Sequence, residues 1–343
     1  MEESGIVPMA VPMEGVKAGR VLRKSIHVFL QHYHYFTMTS ALIAFPFSVS
    51  FLLSQDFVLS SPSSSLLSSL YAGFSSLFRA ANFPLSGFSG FFSTANLKLS
   101  QTLSSSLLTL PFTLTFLLFT KASIVQSLGG AGASLASTYF PILQTYVCTW
   151  VVLLSANATA FFLMFFAFSI LESISSSQHT LFISAAASAV LYSVILANAI
   201  VVCNLGLILS GVERICGSLA IVKAFVMIRG RASTALSLAV PLNIALAATE
   251  ALFQFRVTRN FHRMGTPSFP MFVEGLFIAY LYSVLIVLET IVNLMFFKSC
   301  RVEDSLAELE EGHHHWQIQI PDGGFDFPNS LNSYKQANDQ SRP

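Results

Sequence analysis

The sequence predicts an all-α, polytopic helical membrane protein with about six transmembrane helices and amphipathic helices at the membrane surface. Only 10% of the 343 residues are charged, compared with ~25% in an average soluble protein. A helix that crosses hydrocarbon needs ~20 mostly apolar residues, because lipid offers no hydrogen bonds to an exposed backbone. Six apolar stretches approach or exceed this length: 36–54, 100–120, 139–171, 179–210, 233–255 and 271–297.

The N-terminal part combines a polar arm with a basic amphipathic segment. Residues 1–15 are short and polar, and we expect them to be disordered. Residues 16–34 mix apolar and basic side chains, which predicts a helix lying at the bilayer surface. Its cations are expected to contact lipid headgroups: Lys17, Arg20, Arg23 and Lys24. The first span follows and carries Pro46, which predicts a kink.

Two connections follow the first and second spans. Residues 55–98 are rich in Ser, Phe and Gly. Within them, 65–83 has helical apolar spacing but is too polar to cross, so we predict a second surface helix in a loop. The loop 121–138 contains Lys121 and the Gly-rich segment 129–134. It is not a phosphate-binding loop, because it lacks the Lys-Ser/Thr ending.

A third amphipathic helix is predicted near 211–231. Its apolar positions share one helical face: Val212, Ile215, Leu219, Val222, Phe225 and Val226. Its cations are also candidate headgroup contacts: Arg214, Lys223, Arg229 and Arg231. The segment 23–47 is similar to 216–242, since each places a basic amphipathic helix before a proline-bearing apolar helix. Duplication of a helical unit and chance similarity both account for this repeat.

The distribution of Lys and Arg predicts that both termini lie in the cytosol. This orientation places most basic residues on the cytosolic side, and the Arg-containing turn 256–270 is the exception whose orientation stays open. The membrane domain is predicted to cover 16–300. The polar tail 301–343 begins acidic, is expected to be disordered, and offers a segment for recruiting a protein partner.

Ionisable and amide groups inside the apolar stretches are site candidates, because burying them in hydrocarbon is costly. Glu289, inside the sixth stretch, is the strongest, and Asn198 and Asn243 complete the candidate intramembrane polar site. Hydrogen bonds between helices are the competing explanation for the Asn residues. Glu250 and Glu274 lie near arginines at the ends of their stretches, which predicts interfacial ion pairs.

The sequence nominates no catalytic, cofactor-binding or metal-ligating set. The HExxH and GxSxG motifs are absent, and the four cysteines lack ligand spacing. The His tract 313–315 is expected to be part of a solvated tail. Aromatic and basic residues do not interleave in a soluble domain, so nucleic-acid binding has no support. We therefore predict a non-enzymatic protein without a cofactor, and disfavour a lipid-modifying enzyme.

The segments 16–54 and 211–255, each a basic amphipathic helix followed by a proline-bearing span, resemble a plant family. Its members are uncharacterised integral membrane proteins with Ser- and Phe-rich helices, and the resemblance covers 16–300. The chain is also slightly similar to the membrane domain attached to some bacterial glycerophosphodiester phosphodiesterases. The catalytic domain of those enzymes has no counterpart here, so no catalytic residue is carried over. The resemblance implies an endomembrane or plasma-membrane protein.

Two function classes remain after these exclusions. The sequence favours a non-enzymatic protein that organises or traffics other membrane components, with surface helices on the cytosolic leaflet and a tail that recruits a partner. The alternative is a small-solute transporter or channel that uses Glu289 within the bundle. A transporter needs several polar side chains at one depth. One acid and scattered Asn residues favour the first class.

Overall fold

The computed structural model describes residues 13–60, 65–80, 85–129, 134–174, 178–264 and 269–317. Every regular element in these ranges is a helix, which confirms the all-α prediction. Three π-helical turns, Ser40–Ala44, Thr113–Leu117 and Gln254–Thr258, each join two α-helices into one. The α-helices are Met13–Gln31, Tyr33–Thr39, Phe45–Ser60, Ser65–Ala80, Leu85–Phe112, Leu118–Gly129, Leu135–Ile174, Gln178–Glu213, Ser218–Ile228, Ala232–Phe253, Arg259–Met264 and Phe269–Gln317.

Six helical segments are long and apolar enough to cross a membrane. Each overlaps one predicted apolar stretch, so the protein is a multi-pass integral membrane protein. We call the end of the bundle at which the first segment begins the proximal end, and the opposite end the distal end. Spans 1 to 6 are, in order, Tyr33–Gln55, Leu99–Gly129, Leu135–Ala160, Val190–Glu213, Ala232–Phe261 and Phe269–Val302.

Spans 1 and 2 each combine a proline with a π-helical turn. Pro46 follows the turn Ser40–Ala44 by two residues, and Pro111 precedes the turn Thr113–Leu117 by two. Proline removes a backbone donor and clashes with the preceding turn, so a helix that continues past it must adjust locally. The carbonyl of Leu114, in the second turn, accepts a hydrogen bond from the Tyr139 hydroxyl at 2.7 Å. The neighbouring span therefore satisfies part of the irregular backbone.

Spans 1 and 6 each contribute buried residues to two of the apolar clusters in the bundle. The distal cluster joins spans 1, 5 and 6 and includes Phe47, Phe253 and Ile278. The proximal cluster joins spans 1, 2 and 6 and includes Phe36 and Ile291, both fully buried. A third cluster joins spans 2, 3 and 4. Since lipid is as apolar as these side chains, close packing rather than water exclusion holds them together.

The helix Met13–Gln31, called the N-terminal helix, docks on the proximal end of the bundle. Its buried face includes Ala18 and Ser25, and Val21, Val28 and Phe29 pack against the proximal cluster. It begins three residues before the predicted boundary at 16, so 13–15 are helical. Residues 1–12 of the predicted arm lie outside the described residues. The helix is therefore part of the folded bundle as well as a surface element.

The structure divides the predicted helix 211–231 into two parts. Span 4 runs to Glu213, and the chain turns where Arg214 and Gly217 have φ of 58° and 66°. Positive φ ends a helix, and Gly accepts it at little cost. The helix Ser218–Ile228, called the connecting helix, then begins. Its small and apolar buried face packs on the bundle, and the opposite apolar face is exposed: Leu219, Val222, Phe225 and Val226.

The distal side contains more helix than the sequence predicts. The predicted surface helix 65–83 is found as Ser65–Ala80, and 81–84 lie outside the described residues. The predicted loop continues instead as helix from Leu85 into span 2, since no proline occurs between Pro84 and Pro111. The helices that contain spans 3 and 4 have 40 and 36 residues. At 1.5 Å per residue they reach about 60 and 54 Å, well beyond the ~30 Å hydrocarbon core.

From Cys300 the chain forms a second compact unit. Residues 300–317 are helical, including the His tract 313–315, whereas the sequence predicts disorder from 301. Residues 318–343 lie outside the described residues. The helix therefore continues to Gln317, past the predicted boundary at residue 300 between the membrane domain and the tail.

Candidate intramembrane polar site

Three polar side chains from three different spans form a chain of hydrogen bonds inside the bundle. Glu289 of span 6 is half-buried, and its Oε1 accepts a hydrogen bond from Asn204 Nδ2 of span 4 at 3.0 Å. Asn204 Oδ1 accepts one from Lys121 Nζ of span 2 at 3.5 Å. We call these three residues the charged cluster. It brings an acid, an amide and a base to one depth of the bundle.

The order of the charged cluster follows from donor and acceptor chemistry. An ammonium only donates hydrogen bonds and a carboxylate only accepts them, whereas an amide does both. Asn204 can therefore turn its oxygen to Lys121 and its NH₂ group to Glu289. Lys121 is only 6% exposed, and burying a charge is costly unless it is paired and hydrogen-bonded. The amide bridges a cation and an anion that would each be costly alone.

The structure corrects the predicted position of Lys121. The sequence pattern predicts that Lys121 lies in the loop 121–138, but span 2 continues as helix to Gly129. Apolar residues at Ala122, Ile124 and Val125 are buried after Lys121, so the apolar helical pattern does not stop at the charge. This continuation is the signal by which the sequence could have identified Lys121 as a member of the site.

Asn198 and Asn243 do not join Glu289. Both side chains are exposed, and each donates a hydrogen bond to a carbonyl of its own helix: Asn198 to Val194 at 3.0 Å and Asn243 to Ala239 at 2.9 Å. Asn204 lies six residues after Asn198 on the same helix. At 3.6 residues per turn that separation is about 240°, so the two amides point to different sides of span 4.

A second group of polar residues, called the distal polar cluster, connects spans 1, 5 and 6. Glu250 accepts hydrogen bonds from Gln55 Nε2 at 3.3 Å and from the Tyr282 hydroxyl at 3.0 Å. Gln55 Oε1 in turn accepts one from Gln254 Nε2 at 3.1 Å. Both carboxyl oxygens of Glu250 thus have neutral donors.

The predicted interfacial ion pairing is found for one of the two acids. Arg256 Nε lies 3.4 Å from Glu274 Oε1, and both side chains are substantially exposed. Glu250 is bonded instead to the neutral donors of the distal polar cluster. A surface pair of this kind contributes about 0–1 kcal/mol, so the Glu274 pair is a marginal contributor to stability.

Polar residues of span 6 belong to both clusters, and we call this set of residues, with their partners, the polar column. Tyr282 belongs to the distal polar cluster, and Glu289 follows seven residues later, a rise of about 10 Å. Between them, Ser283 Oγ lies 2.8 Å from Ser40 Oγ of span 1, and both serines are fully buried. Ser40 begins one π-helical turn and Gln254 begins another. Such turns occur frequently at functional sites.

The predicted headgroup cations lie on the N-terminal helix and in the connection between spans 4 and 5. On the N-terminal helix, Arg20, Arg23 and Lys24 are exposed, and the Lys17 side chain lies outside the described part. In the connection, Lys223 forms an ion pair with Glu213, and Arg231 is also engaged in an interaction. Arg214 and Arg229 of the connection are exposed, as is Lys223. Among the described residues, no group of three or more His, Cys, Asp or Glu could hold a metal ion.

Replacing Tyr282 by Phe is expected to lower the free energy of unfolding by about 1 kcal/mol, because it removes one of the two donors to Glu250. The ring contact with Phe51, at 5.5 Å between centroids, is retained. Detergent-to-SDS unfolding titrations compare the variant with Tyr280→Phe, a matched control two residues earlier on the same helix. Equal stability of Tyr282→Phe and wild type would show that the hydroxyl does not support Glu250.

Comparison with known proteins adds a family match to this geometry. Residues 138–305 match a family model described as a domain of unknown function, DUF8558. The matched range includes Asn204, Glu250 and Glu289, whereas Lys121 and Gln55 precede it. Searches of curated proteins and of solved structures found no significant match. The chain is thus similar, over spans 3 to 6, to a domain whose activity is not described.

Proposed function

We propose that the protein is a non-enzymatic transporter or channel for a small solute. The observation that carries the proposal is the convergence of Lys121, Asn204 and Glu289 from three spans. Ionisable residues within membrane helices typically mark ion or substrate pathways. Transporters place such groups near irregular helix segments at mid-depth. The sequence alone offered one acid and scattered amides, and the convergence changes the preference between the two function classes.

The charge balance of the polar column favours a small cation or a proton as the transported species. Two carboxyl groups, Glu250 and Glu289, lie along the column. In the described hydrogen bonds of the column, Lys121 supplies the positive charge. Glu250 is bonded only to neutral donors in these contacts, so a cation approaching it meets no competing ammonium there. Glu289 would exchange the Asn204 amide for the solute as the solute passes.

The orientation and compartment belong to the same proposal. We place the proximal end in the cytosol, since the exposed basic residues of the N-terminal helix and of the connection between spans 4 and 5 lie there. The membrane would be that of an endomembrane compartment or the plasma membrane. Loading of the column from the cytosol then begins at the charged cluster.

The experiment is a flux measurement on purified full-length protein reconstituted into liposomes. Cation and proton fluxes are driven by an imposed gradient and read with ion-sensitive dyes. Glu289→Gln should reduce the flux about tenfold or more, as expected for loss of a charge-assisted interaction. The matched control is Glu274→Gln, the same chemical change at an exposed acid, and it should retain the flux. The proposal is contradicted if the flux with wild-type protein does not exceed the leakage of protein-free liposomes, or if both variants give equal flux.

A second candidate function is membrane organisation, and the N-terminal helix specifically favours it. Its exposed side chains include Arg20, Arg23 and Lys24 beside apolar Ile26 and Leu30. This combination suits binding to an anionic leaflet, while the tail would recruit a protein partner. Proximity labelling that finds no reproducible neighbours, together with normal traffic of membrane proteins in a knockout, would contradict this candidate.

A further inference from the structure

An open groove of about 500 Å³ lies where the N-terminal helix meets span 1. The first helix ends at Gln31, and span 1 starts at Tyr33. His32 is the joint between them, with φ −110° and ψ 32° outside the helical values. The groove therefore exists because the chain changes direction at the level where it enters the membrane. Its lining residues are Gln31, His32, His34, Tyr35 and Met38.

Contacts with the bundle hold the walls of the groove in place. The His32 ring packs edge-on against Phe36, which is fully buried, with 6.2 Å between centroids. The Tyr35 hydroxyl lies 2.7 Å from Ser123 Oγ and ties the wall to span 2. The groove is thus a feature of the folded bundle, and no rearrangement is needed to create it.

The groove presents hydrogen-bond donors at its polar end and apolar surface at the other. The amide of Gln31 and the imidazoles of His32 and His34 all supply N–H donors. Met38 is 50% exposed and Leu42, one turn further into span 1, is 70% exposed. Because they follow His34 at spacings of four residues, the three side chains lie on one face of the helix. A polar mouth above an apolar strip matches a phospholipid with its acyl chain along the span.

The local charge selects an anionic ligand. The sequence has no acidic residue between Glu14 and Asp56. Lys24, which is exposed, lies seven residues before Gln31, on the same face of the N-terminal helix. The donors at the mouth of the groove therefore have a cation on the adjoining helix and no competing carboxylate from the adjoining segments.

We infer that this groove binds an anionic phospholipid, with the headgroup phosphate at His32, His34 and Gln31 and an acyl chain along Met38 and Leu42. The phosphate would accept hydrogen bonds from the imidazole and amide N–H groups. This site is independent of the charged cluster and of transport. The joint at His32 would therefore recognise one class of lipid, in addition to the general attraction of the basic helix to an anionic surface.

The test counts lipids retained on purified full-length protein by native mass spectrometry. Phosphatidylglycerol should be retained in preference to phosphatidylcholine. The double variant His32→Ala, His34→Ala should bind phosphatidylglycerol roughly tenfold more weakly, as expected when charge-assisted hydrogen bonds are lost. The matched control His27→Ala removes an exposed histidine that does not line the groove, and should bind like wild type.

Two further arms keep the inference decidable. Met38→Trp fills the apolar strip without touching a donor, and should also weaken phosphatidylglycerol binding even if the histidine variant is poorly folded. Inorganic phosphate, added alone, should not displace the lipid at equal concentration. Unchanged binding in the Met38→Trp variant, equal retention of phosphatidylcholine, an equal loss in His27→Ala, or full displacement by inorganic phosphate would each overturn the inference.

Discussion

Replacing Lys121 by Met is expected to lower the free energy of unfolding by about 3 kcal/mol, because it leaves Glu289 and Asn204 without the buried cation. Removing one member of a buried charge pair is costly, as the remaining charge is no longer compensated. Glu289 is half-buried rather than fully buried, which limits the loss. The methyl end of Met retains most of the apolar packing of the lysine stem.

A double variant separates the charge from the packing. Lys121→Met combined with Glu289→Gln removes both charges and leaves a neutral amide beside Asn204, so we expect most of the lost stability to return. Stability is measured by SDS titration in detergent, with the intrinsic fluorescence of the two tryptophans, Trp150 and Trp316, as the signal. Lys24→Met, the same change at an exposed lysine, serves as the control. Additive losses in the double variant would show that the two charges do not interact.

Replacing Gly206 by Leu is expected to lower the free energy of unfolding by about 3 kcal/mol, near the upper end of the usual overpacking cost. A Cβ at Gly206 would lie 3.3 Å from the Ile221 Cα, and the larger side chain extends further into that contact. The obstacle is backbone, so the connecting helix must move as a unit to make room. Small residues permit such close approach between membrane helices.

Two comparisons isolate this effect. Gly206→Ala should cost much less than Gly206→Leu, since one methyl group displaces Ile221 by only a few tenths of an ångström. Gly19→Leu is the matched control, because a Cβ at Gly19 meets nothing within 4 Å. The variants are heated in detergent, and unfolding is measured as the loss of the monodisperse peak in size-exclusion chromatography. The temperatures at which the peak is lost give the order of stability. A Gly206→Leu variant as stable as Gly19→Leu would show that the connecting helix is not held by this contact.

The sequence predicted the spans well and the residues between them poorly, for one physical reason. A span is recognisable because a continuous run of ~20 apolar residues is stable in the hydrocarbon core of a bilayer and not in water. The connections have no such constraint. The break at Arg214, for example, depends on neighbours that the sequence does not reveal.

The charged cluster shows the same division at the level of single residues. Glu289 was identified from its cost in hydrocarbon alone. The sequence does not identify its partner Asn204, because Asn198, Asn204 and Asn243 are all single asparagines within apolar stretches. They differ in whether their side of the helix faces span 6. Lys121 appeared to end a span, since a charge beside an apolar run is usually at the interface.

The sequence by itself therefore determined that the chain crosses a membrane as a bundle of helices, which segment before the first span is basic and amphipathic, and which acid lies inside an apolar span. Only the tertiary structure decided that Lys121, Asn204 and Glu289 meet, and that a groove opens at His32. Solvent preference is a property of each segment separately. Contacts between spans depend on how the helices rotate and pack, and that is settled by the close fit of all six together.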